Sequence, residues 1–299
     1  MKRYITRIIV FFVIIACFDW VFGNVCYYLS KHAKGSDTQR TDYIMNRCQD
    51  DVIILGSSRA LHHYVSSVLS DSLHQSVYNC GMEGNGIVSQ YAVLSSLLER
   101  YTPKMVIYDV FAADMIKSDN MRYLKALKPY SNRPVLKRFF NDQSPMELVK
   151  LQSNFYKFNN TFVSLVVDCV NPPFINKAGG YQPLMGVMDY DPSPYQTQVP
   201  KGEWDDLKKR YFLEMIQLCK QKNIQLVVFL SPYYGATSSD DFRNMAQLCK
   251  DEGVPFIDYY SHPAFVHTKS YFQDPSHLNE QGAILYTQKI SHWLKQYVD

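Results

Sequence analysis

The chain has 299 residues, of which 46% are hydrophobic and 20% are charged, and its formal net charge is +3. This length suits one large domain or two small ones, and the composition is that of an ordinary globular protein. The small net charge, with no long Lys/Arg run, excludes the basic footprint of a nucleic-acid-binding protein.

Residues 1–29 predict a membrane anchor. Three basic residues in MKRYITR precede the stretch 8–29, whose apolar character is interrupted only at Asp19 and Asn24. A bilayer span needs about 20 such residues, and a basic flank favours a cytoplasmic N-terminus. We therefore expect a single pass through the cytoplasmic membrane, with the rest of the chain in the periplasm. A cleaved signal peptide is the main alternative, and IIAC, ending at Cys17, loosely resembles a lipoprotein processing site.

Residues 30–50 are polar and predict a juxtamembrane linker, and residues 51–299 predict an α/β domain. In that domain, short apolar runs alternate with stretches whose apolar residues recur every three or four positions. The predicted strands are 51–55, 75–80, 105–111, 224–230 and 255–260, and the predicted helices lie near 60–70, near 87–100 and around Tyr211, Met245 and Ile290. The alternation predicts a parallel sheet flanked by helices.

Residues 112–200 break this rhythm. They hold many of the prolines and two possible helices near 145–170. We interpret them as an insertion over the carboxyl edge of the sheet, where ligands bind in open α/β folds.

Two serines stand where the first strand meets its helix, in the stretch DVIILGSSRALHHYV. Serine is a good helix cap, but an exposed hydroxyl at such a corner is also placed to act as a nucleophile if a base is near. The stretch QDPSHLNEQGA supplies Asp274 and His277, three residues apart. In a triad, the Asp carboxylate orients the His, whose other nitrogen deprotonates the serine.

Glycines also follow the second strand, in YNCGMEGNG at 78–86. Glycine allows the backbone to approach a ligand closely, and its N–H can face a developing oxyanion. A plain loop of tight turns has the same composition, so this segment alone decides nothing.

Together these stretches resemble the SGNH (GDSL-type) hydrolase family, over about residues 50–110 and 220–299. The first family block, Gly-Asp-Ser, matches Gly56-Ser57-Ser58, and the last, Asp-x-x-His, matches the Asp and His of QDPSHLN. The resemblance implies that Ser58 is the nucleophile. It also implies a flavodoxin-like three-layer sandwich with about five parallel strands.

The second family block, Asn-x-x-x-x-Gly, matches Asn79 and Gly84, which implies that the Gly84 N–H donates to the oxyanion beside the Ser58 N–H. The third block departs from the family pattern. Where the family has Gly-x-Asn-Asp, this chain has Ala-Ala-Asp at 112–114, so the Asn that supplies a third donor is missing. Loss of one donor costs about 2.7–4 kcal/mol of transition-state stabilisation, and Asn85 is a candidate substitute.

The variant first block, the missing Asn and the N-terminal anchor resemble a membrane-tethered branch of the family. That branch includes the D-alanyl-transfer proteins of teichoic acids and the alginate acetyltransferases, which act beside a multi-pass acyltransferase of the MBOAT class. The resemblance implies a glycan or acylated small molecule as substrate, and a multi-pass acyltransferase as a candidate partner.

Other polar residues near the corner receive a structural interpretation. His62 and His63 are expected to lie on the surface or to pack against the helix, and Arg59 is expected to be an exposed cation, although it could steer an anionic glycan. The stretch LSPYY at 230–234 is expected to line the site or to make a turn. The seven cysteines show no C-x-x-C or Cys/His metal spacing, so neither a metal nor a cofactor is predicted.

Three hypotheses follow. The first is an anchored serine esterase or O-acyltransferase, acetyl or similar, acting on a glycan or cell-envelope polysaccharide with Ser58, His277 and Asp274 as its triad. The second is a catalytically degraded SGNH-like binding or scaffold partner of a membrane acyltransferase. The third is a soluble-type lipase or thioesterase that is merely tethered.

Overall fold

The computed structural model of the chain describes residues 1–34, 37–111, 115–118, 120–171, 178–192 and 202–297, except the side chains of 120–123 and 178. The chain divides into two compact units: Met1–Arg47 with Asn120–Ile175, and Cys48–Asp119 with Asn176–Asp299. The first holds the apolar N-terminal helix, and the second holds the sheet.

The strands, in chain order, are β1 Val52–Gly56, β2 Val77–Asn79, β3 Met105–Asp109, β4 Gln225–Leu230, β5 Phe256–Asp258, β6 Phe272–Asp274 and β7 His277–Leu278. The first five form one parallel sheet in the order β2-β1-β3-β4-β5. This is the flavodoxin-like order, so the predicted fold is confirmed. Strands β6 and β7 form a separate antiparallel hairpin.

The α-helices, in chain order, are α1 Lys2–His32, α2 Asp37–Asn46, α3 Ser58–His63, α4 Ser66–Leu73, α5 Ile87–Leu97, α6 Pro134–Gln143, α7 Pro145–Lys150, α8 Asn154–Phe158, α9 Phe162–Val170, α10 Asp206–Gln221, α11 Arg243–Asp251, α12 Pro263–Val266 and α13 Glu280–Leu294. Short 3₁₀ segments cover Asn120–Tyr130, Ala178–Gly180, Asp240–Phe242, Lys269–Tyr271 and Lys295–Tyr297.

Helices cover both faces of the sheet. Ile54 and Ile107 pack into one core with Tyr286 of α13. On the opposite face, the ring of Tyr108 lies 5.9 Å from that of Phe212 in α10. Because successive residues of a strand point to opposite faces, a central strand buried on both sides is apolar throughout, which explains the unbroken run Val-Ile-Ile-Leu in β1.

The first unit is built around the second half of α1. Cys26 of α1 is buried with Phe158 of α8 and Leu165 of α9. Helix α1 is long and apolar enough to cross a membrane by length and composition, and most of its apolar side chains before Phe22 are exposed.

The two units divide the chain differently from the predicted boundaries. The segment 30–50, predicted as a linker, contains helix α2. The predicted insertion 112–200 is split, because 120–175 belongs to the first unit, whereas 176–192 belongs to the second. In the second unit the Gln182 N–H donates to the Leu61 carbonyl of α3, so this part of the insertion lies beside the carboxyl edge of the sheet.

Candidate active site

The corner between β1 and α3 depends on Gly56. Its φ is +145°, and a Cβ at this position would lie 2.7 Å from both the Asp109 carbonyl oxygen and the Ala60 methyl. Only glycine accommodates both the conformation and the close approach. The chain therefore turns sharply, with buried Ser57 at the N-cap and half-buried Ser58 as the first helical residue.

The two predicted partners of the serine lie on the hairpin. Asp274 and His277 are paired in register across β6 and β7, so their side chains leave the same short turn together. His277 Nδ1 is 2.8 Å from Asp274 Oδ2, and His277 Nε2 is 2.7 Å from Ser58 Oγ. The residues predicted to form a triad are thus within hydrogen-bond distance of one another.

The electrostatics suit a base held by a charged carboxylate. Burial favours the protonated form of Asp274, but hydrogen bonds from His277 and Ser276 outweigh it and lower the pKa of Asp274 to about 2. Asp274 is therefore ionised at neutral pH and accepts the Nδ1 proton of His277. That tautomer leaves Nε2 as the atom that can take the proton of Ser58.

The predicted oxyanion residues fall into two groups. Gly84 is exposed at a φ of +62°, and Asn85 is half-buried beside it on the same loop. Asn79 is fully buried, and its amide nitrogen donates to the Ala60 and Tyr64 carbonyls, at 2.7 and 3.0 Å. Asn79 therefore ties the end of β2 to α3 and does not face a substrate. The Ala-Ala-Asp at 112–114 lies outside the described residues.

Arg59 is not the exposed cation expected from the sequence. Its side chain is 2% exposed, and its Nε lies 3.8 Å from Asp109 Oδ2 and donates to Ser231 Oγ at 3.0 Å. Its Nη2 also donates to the Ser231 carbonyl. Arg59 is buried because its partners come from the ends of β3 and β4, which lie close to β1 only in the folded sheet.

Asp109 was missed by the sequence analysis. It is fully buried, accepts a hydrogen bond of 2.7 Å from the Tyr64 hydroxyl, and is reached by the Ser231 N–H at 3.2 Å. Burial raises the pKa of Asp109, although the Arg59 guanidinium opposes this. The available signal was a lone carboxylate within the predicted strand 105–111, whose other side chains are all uncharged.

The two histidines that end α3 are buried close to His277. His62 is 5% exposed, and His63 is fully buried. The His62 ring lies 5.8 Å from that of His277, at 87°. Of the two expected placements, the surface is therefore wrong: both side chains are buried, and both rings lie beside the ring of His277.

The stretch 230–234 faces the site through two contacts. Its Ser231 hydroxyl lies 2.9 Å from His63 Nδ1, and the Tyr234 N–H donates to the Pro275 carbonyl in the hairpin turn at 2.8 Å. The loop after β4 thus supports the turn that carries the base. Within the described part of the chain, no three His, Cys, Asp or Glu side chains are grouped so that they could hold a metal ion.

No family model matches the chain, and no curated protein matches it. Solved structures are similar to it at low identity. A candidate lipolytic protein of the G-D-S-L family from Desulfitobacterium hafniense is 10% identical, with a TM-score of 0.41 over 81% of this chain and 98% of that chain. A candidate acylhydrolase from Bacteroides fragilis is 11% identical, with a TM-score of 0.40 over 87% of this chain and 95% of that chain. A GDSL-like lipase from Bacteroides thetaiotaomicron is 10% identical, with a TM-score of 0.37 over 93% and 98%.

What the site can do therefore follows from its own geometry. A serine hydroxyl, an imidazole and a carboxylate lie in sequence at hydrogen-bond distances. This arrangement suits nucleophilic attack on an acyl carbon with general base and then general acid catalysis.

Proposed function

We propose that the protein is a membrane-anchored serine esterase or O-acyltransferase that acts outside the cytoplasm on a glycan or cell-envelope polysaccharide. The observation that carries the proposal is the contact of 2.7 Å between Ser58 Oγ and His277 Nε2, with Asp274 on the far side of the imidazole. A serine that only began a helix would not need an imidazole and a carboxylate aligned behind its hydroxyl.

The reaction would proceed in two halves. Ser58 Oγ attacks the acyl carbon while His277 Nε2 takes its proton, and the carbonyl electrons move to the oxygen. The backbone N–H groups of Ser58 and Gly84 are the proposed donors to that oxyanion. Collapse of the tetrahedral intermediate breaks the bond to the first alcohol, which leaves with the proton from His277. Water or a sugar hydroxyl then attacks the acyl-serine by the same steps in reverse.

The contacts of Asp19 support a retained anchor over a cleaved signal peptide. Its carboxylate accepts hydrogen bonds from the Ser153 hydroxyl at 2.7 Å, the Asn154 N–H at 2.9 Å and the Phe155 N–H at 3.0 Å. It thus caps the first turn of α8, where a negative charge is favourable. The Phe22 ring stacks on Phe155 at 4.3 Å. Cleavage after the apolar run would remove these contacts.

The acyl group, the glycan and the membrane partner follow from the resemblance to the tethered SGNH branch. A multi-pass acyltransferase of the MBOAT class would supply the acyl group, and this protein would pass it to the polysaccharide. The basic residues before the span support a cytoplasmic N-terminus and a periplasmic site.

Labelling with a fluorophosphonate probe tests the proposal, because such probes react with activated serines. Wild-type protein should take the label, Ser58→Ala should take none, and Ser57→Ala should keep most of the labelling because Ser57 is buried at the cap. Failure of well-folded wild-type protein to take label, together with unchanged glycan acylation in cells carrying Asp274→Ala, would favour the scaffold hypothesis instead.

A further inference from the structure

We propose that His62 and His63 are positioning residues that hold two separate segments in place relative to Ser58. His62 holds the glycine loop 81–86 through Glu83, and His63 holds the hairpin that carries His277. The inference rests on the proposed function, because the position of these segments relative to Ser58 matters for a reaction only if Ser58 is a nucleophile. Both histidines lie in the last turn of α3, the helix that begins at Ser58.

The hydrogen bonds of His63 define its tautomer. The Leu278 N–H, which can only donate, lies 2.9 Å from Nε2, so Nε2 accepts and carries no proton. The proton is therefore on Nδ1, which donates to Ser231 Oγ at 2.9 Å. Burial, and then the charge of Arg59, lower the pKa of His63 well below its usual value, so the ring stays neutral.

This contact acts on the base through the backbone. Leu278 follows His277 directly, so the bond from its N–H fixes the peptide that carries the imidazole. The other ring nitrogen of His63 is held by the loop after β4. His63 thus links the helix that begins at Ser58 to the hairpin that carries His277.

The surroundings of His62 are different. Its Nδ1 lies 2.7 Å from the Gln182 carbonyl oxygen, which can only accept, so Nδ1 donates. Its Nε2 lies 2.5 Å from Glu83 Oε1. The hydrogen bond from His62 lowers the pKa of Glu83, which is therefore a carboxylate. Both ring nitrogens of His62 thus face hydrogen-bond acceptors.

Glu83 directly precedes Gly84, the proposed oxyanion donor. On the strand side, the glycine loop is held by the Met82 N–H, which donates to the Gly56 carbonyl at 3.1 Å. On its outer side, the Glu83 side chain is 59% exposed and gains its fixed position from His62, whose side chain is 6% exposed. The hydrogen bond between His62 and Glu83 therefore fixes the exposed part of the loop relative to Ser58.

Displacing a reacting group by about 1 Å can cost about 10²-fold in rate. Loss of either the His62–Glu83 or the His63–Leu278 hydrogen bond should therefore slow the reaction of Ser58 measurably. The probe is the fluorophosphonate, and the readout is its second-order labelling rate constant in the full-length protein. The midpoint of thermal unfolding of each variant distinguishes a displaced loop or hairpin from a loss of folded protein.

For His63, two amides of different length provide the test. A Gln amide reaches about as far as Nε2 and can accept from the Leu278 N–H, whereas an Asn amide reaches only about as far as Nδ1. We expect His63→Gln to retain at least about a third of the wild-type rate and His63→Asn to fall about 10- to 100-fold. Equal losses in both variants would show a packing role and overturn the inference for His63.

For His62, a double-mutant cycle with Glu83 provides the test. His62→Ala and Glu83→Ala should each lower the rate constant about tenfold. The rate constant of the double variant should be no lower, because both substitutions remove the same hydrogen bond. The affinity for an alkyl boronic acid, which forms an anionic tetrahedral adduct on an activated serine, should fall in parallel, whereas the KM for a nitrophenyl ester should stay nearly unchanged.

His292→Ala is the matched control, since His292 is exposed near the end of α13, and it should label at the wild-type rate. If the wild type takes label and both His62→Ala and His63→Asn label at the wild-type rate, the positioning roles are refuted while the serine hydrolase proposal stands. If the wild type takes no label, the proposed function itself fails, and the positioning roles fail with it.

Discussion

Asp274 and His277 are register partners across the hairpin of β6 and β7, and this pairing places His277 Nδ1 2.8 Å from Asp274 Oδ2. Two hydrogen bonds hold the hairpin: the Tyr234 N–H donates to the Pro275 carbonyl, and the Leu278 N–H donates to His63 Nε2. A spacing of three residues is therefore more than a sequence motif here, because it is the spacing that a two-residue turn brings face to face.

The low pKa of Asp274 predicts a pH-dependent contribution to stability. Its pKa is about 2 in the folded protein and about 3.9 in an unfolded chain. The folded state thus binds fewer protons between these values, so the contribution is complete above about pH 4 and is lost as the pH falls towards 2.

We expect urea midpoints of wild type and Asp274→Asn to differ at pH 6 and to converge as the pH falls from 4 to 2. Labelling of Asp274→Asn at neutral pH should be lower by about 10³-fold or more, since Asn disfavours the required tautomer of His277. A midpoint difference that stays constant down to pH 2 would contradict the assignment of the charge.

Gly56 provides a second prediction. Gly56→Ala would place a methyl 2.7 Å from the Asp109 carbonyl oxygen at a φ of +145°, and we expect it to lower the free energy of unfolding by about 2–5 kcal/mol. Gly253→Ala is the control, because Gly253 also has a positive φ, +66°, but has no neighbour within 4 Å. It should cost about 1 kcal/mol. Chemical denaturation measures both, and equal losses would exclude the steric explanation.

The buried ion pair behind the site provides a third. Arg59 and Asp109 have side chains 2% and 0% exposed, so removing one leaves the other as an uncompensated buried charge. Arg59→Met should cost about 3–5 kcal/mol, and adding Asp109→Leu should recover much of that loss. Arg243→Met should leave the denaturation midpoint unchanged, because the side chains of Arg243 and its partner Asp240 are 75% and 65% exposed. A double variant less stable than Arg59→Met would contradict this account.

The sheet and the proximity of Ser58, Asp274 and His277 could be predicted because their signals are local. Each central strand is an apolar run, and Ser58, Asp274 and His277 stand at strand ends or tight turns that sequence reveals. The burial of Arg59 could not be predicted, since its partner Ser231 is 172 residues away and only the parallel order of β1, β3 and β4 brings the two together.

The role of Asp19 was hidden for the same reason. Within the sequence it only interrupts an apolar span, and its meaning depends on α8, whose N-terminal residue Asn154 lies 135 residues further along the chain. Sequence periodicity likewise shows which face of a helix is apolar, but it does not show which distant helix covers that face.

Asp19 leads to the last prediction, which concerns the anchor. Asp19→Ala removes the acceptor of the hydrogen bonds from the first turn of α8, and loss of a cap of this kind costs about 0.5–2 kcal/mol. Because the effect is local, we expect faster amide hydrogen exchange over 153–158 in detergent-solubilised protein. Asn24→Ala is the matched control, since the Asn24 side chain bonds only within α1, to the Trp20 carbonyl, among the contacts described for it.

The same variant separates the anchor from a signal peptide. If α1 is retained, the protein purified from membranes should begin at or near Met1, and a reporter fused after the full chain should be active only outside the cytoplasm. If instead the mature protein begins beyond Asp19, α8 makes no hydrogen bonds to Asp19 that the substitution could remove. Exchange over 153–158 would then be the same in wild type and Asp19→Ala, and the proposed membrane anchor would have to be abandoned.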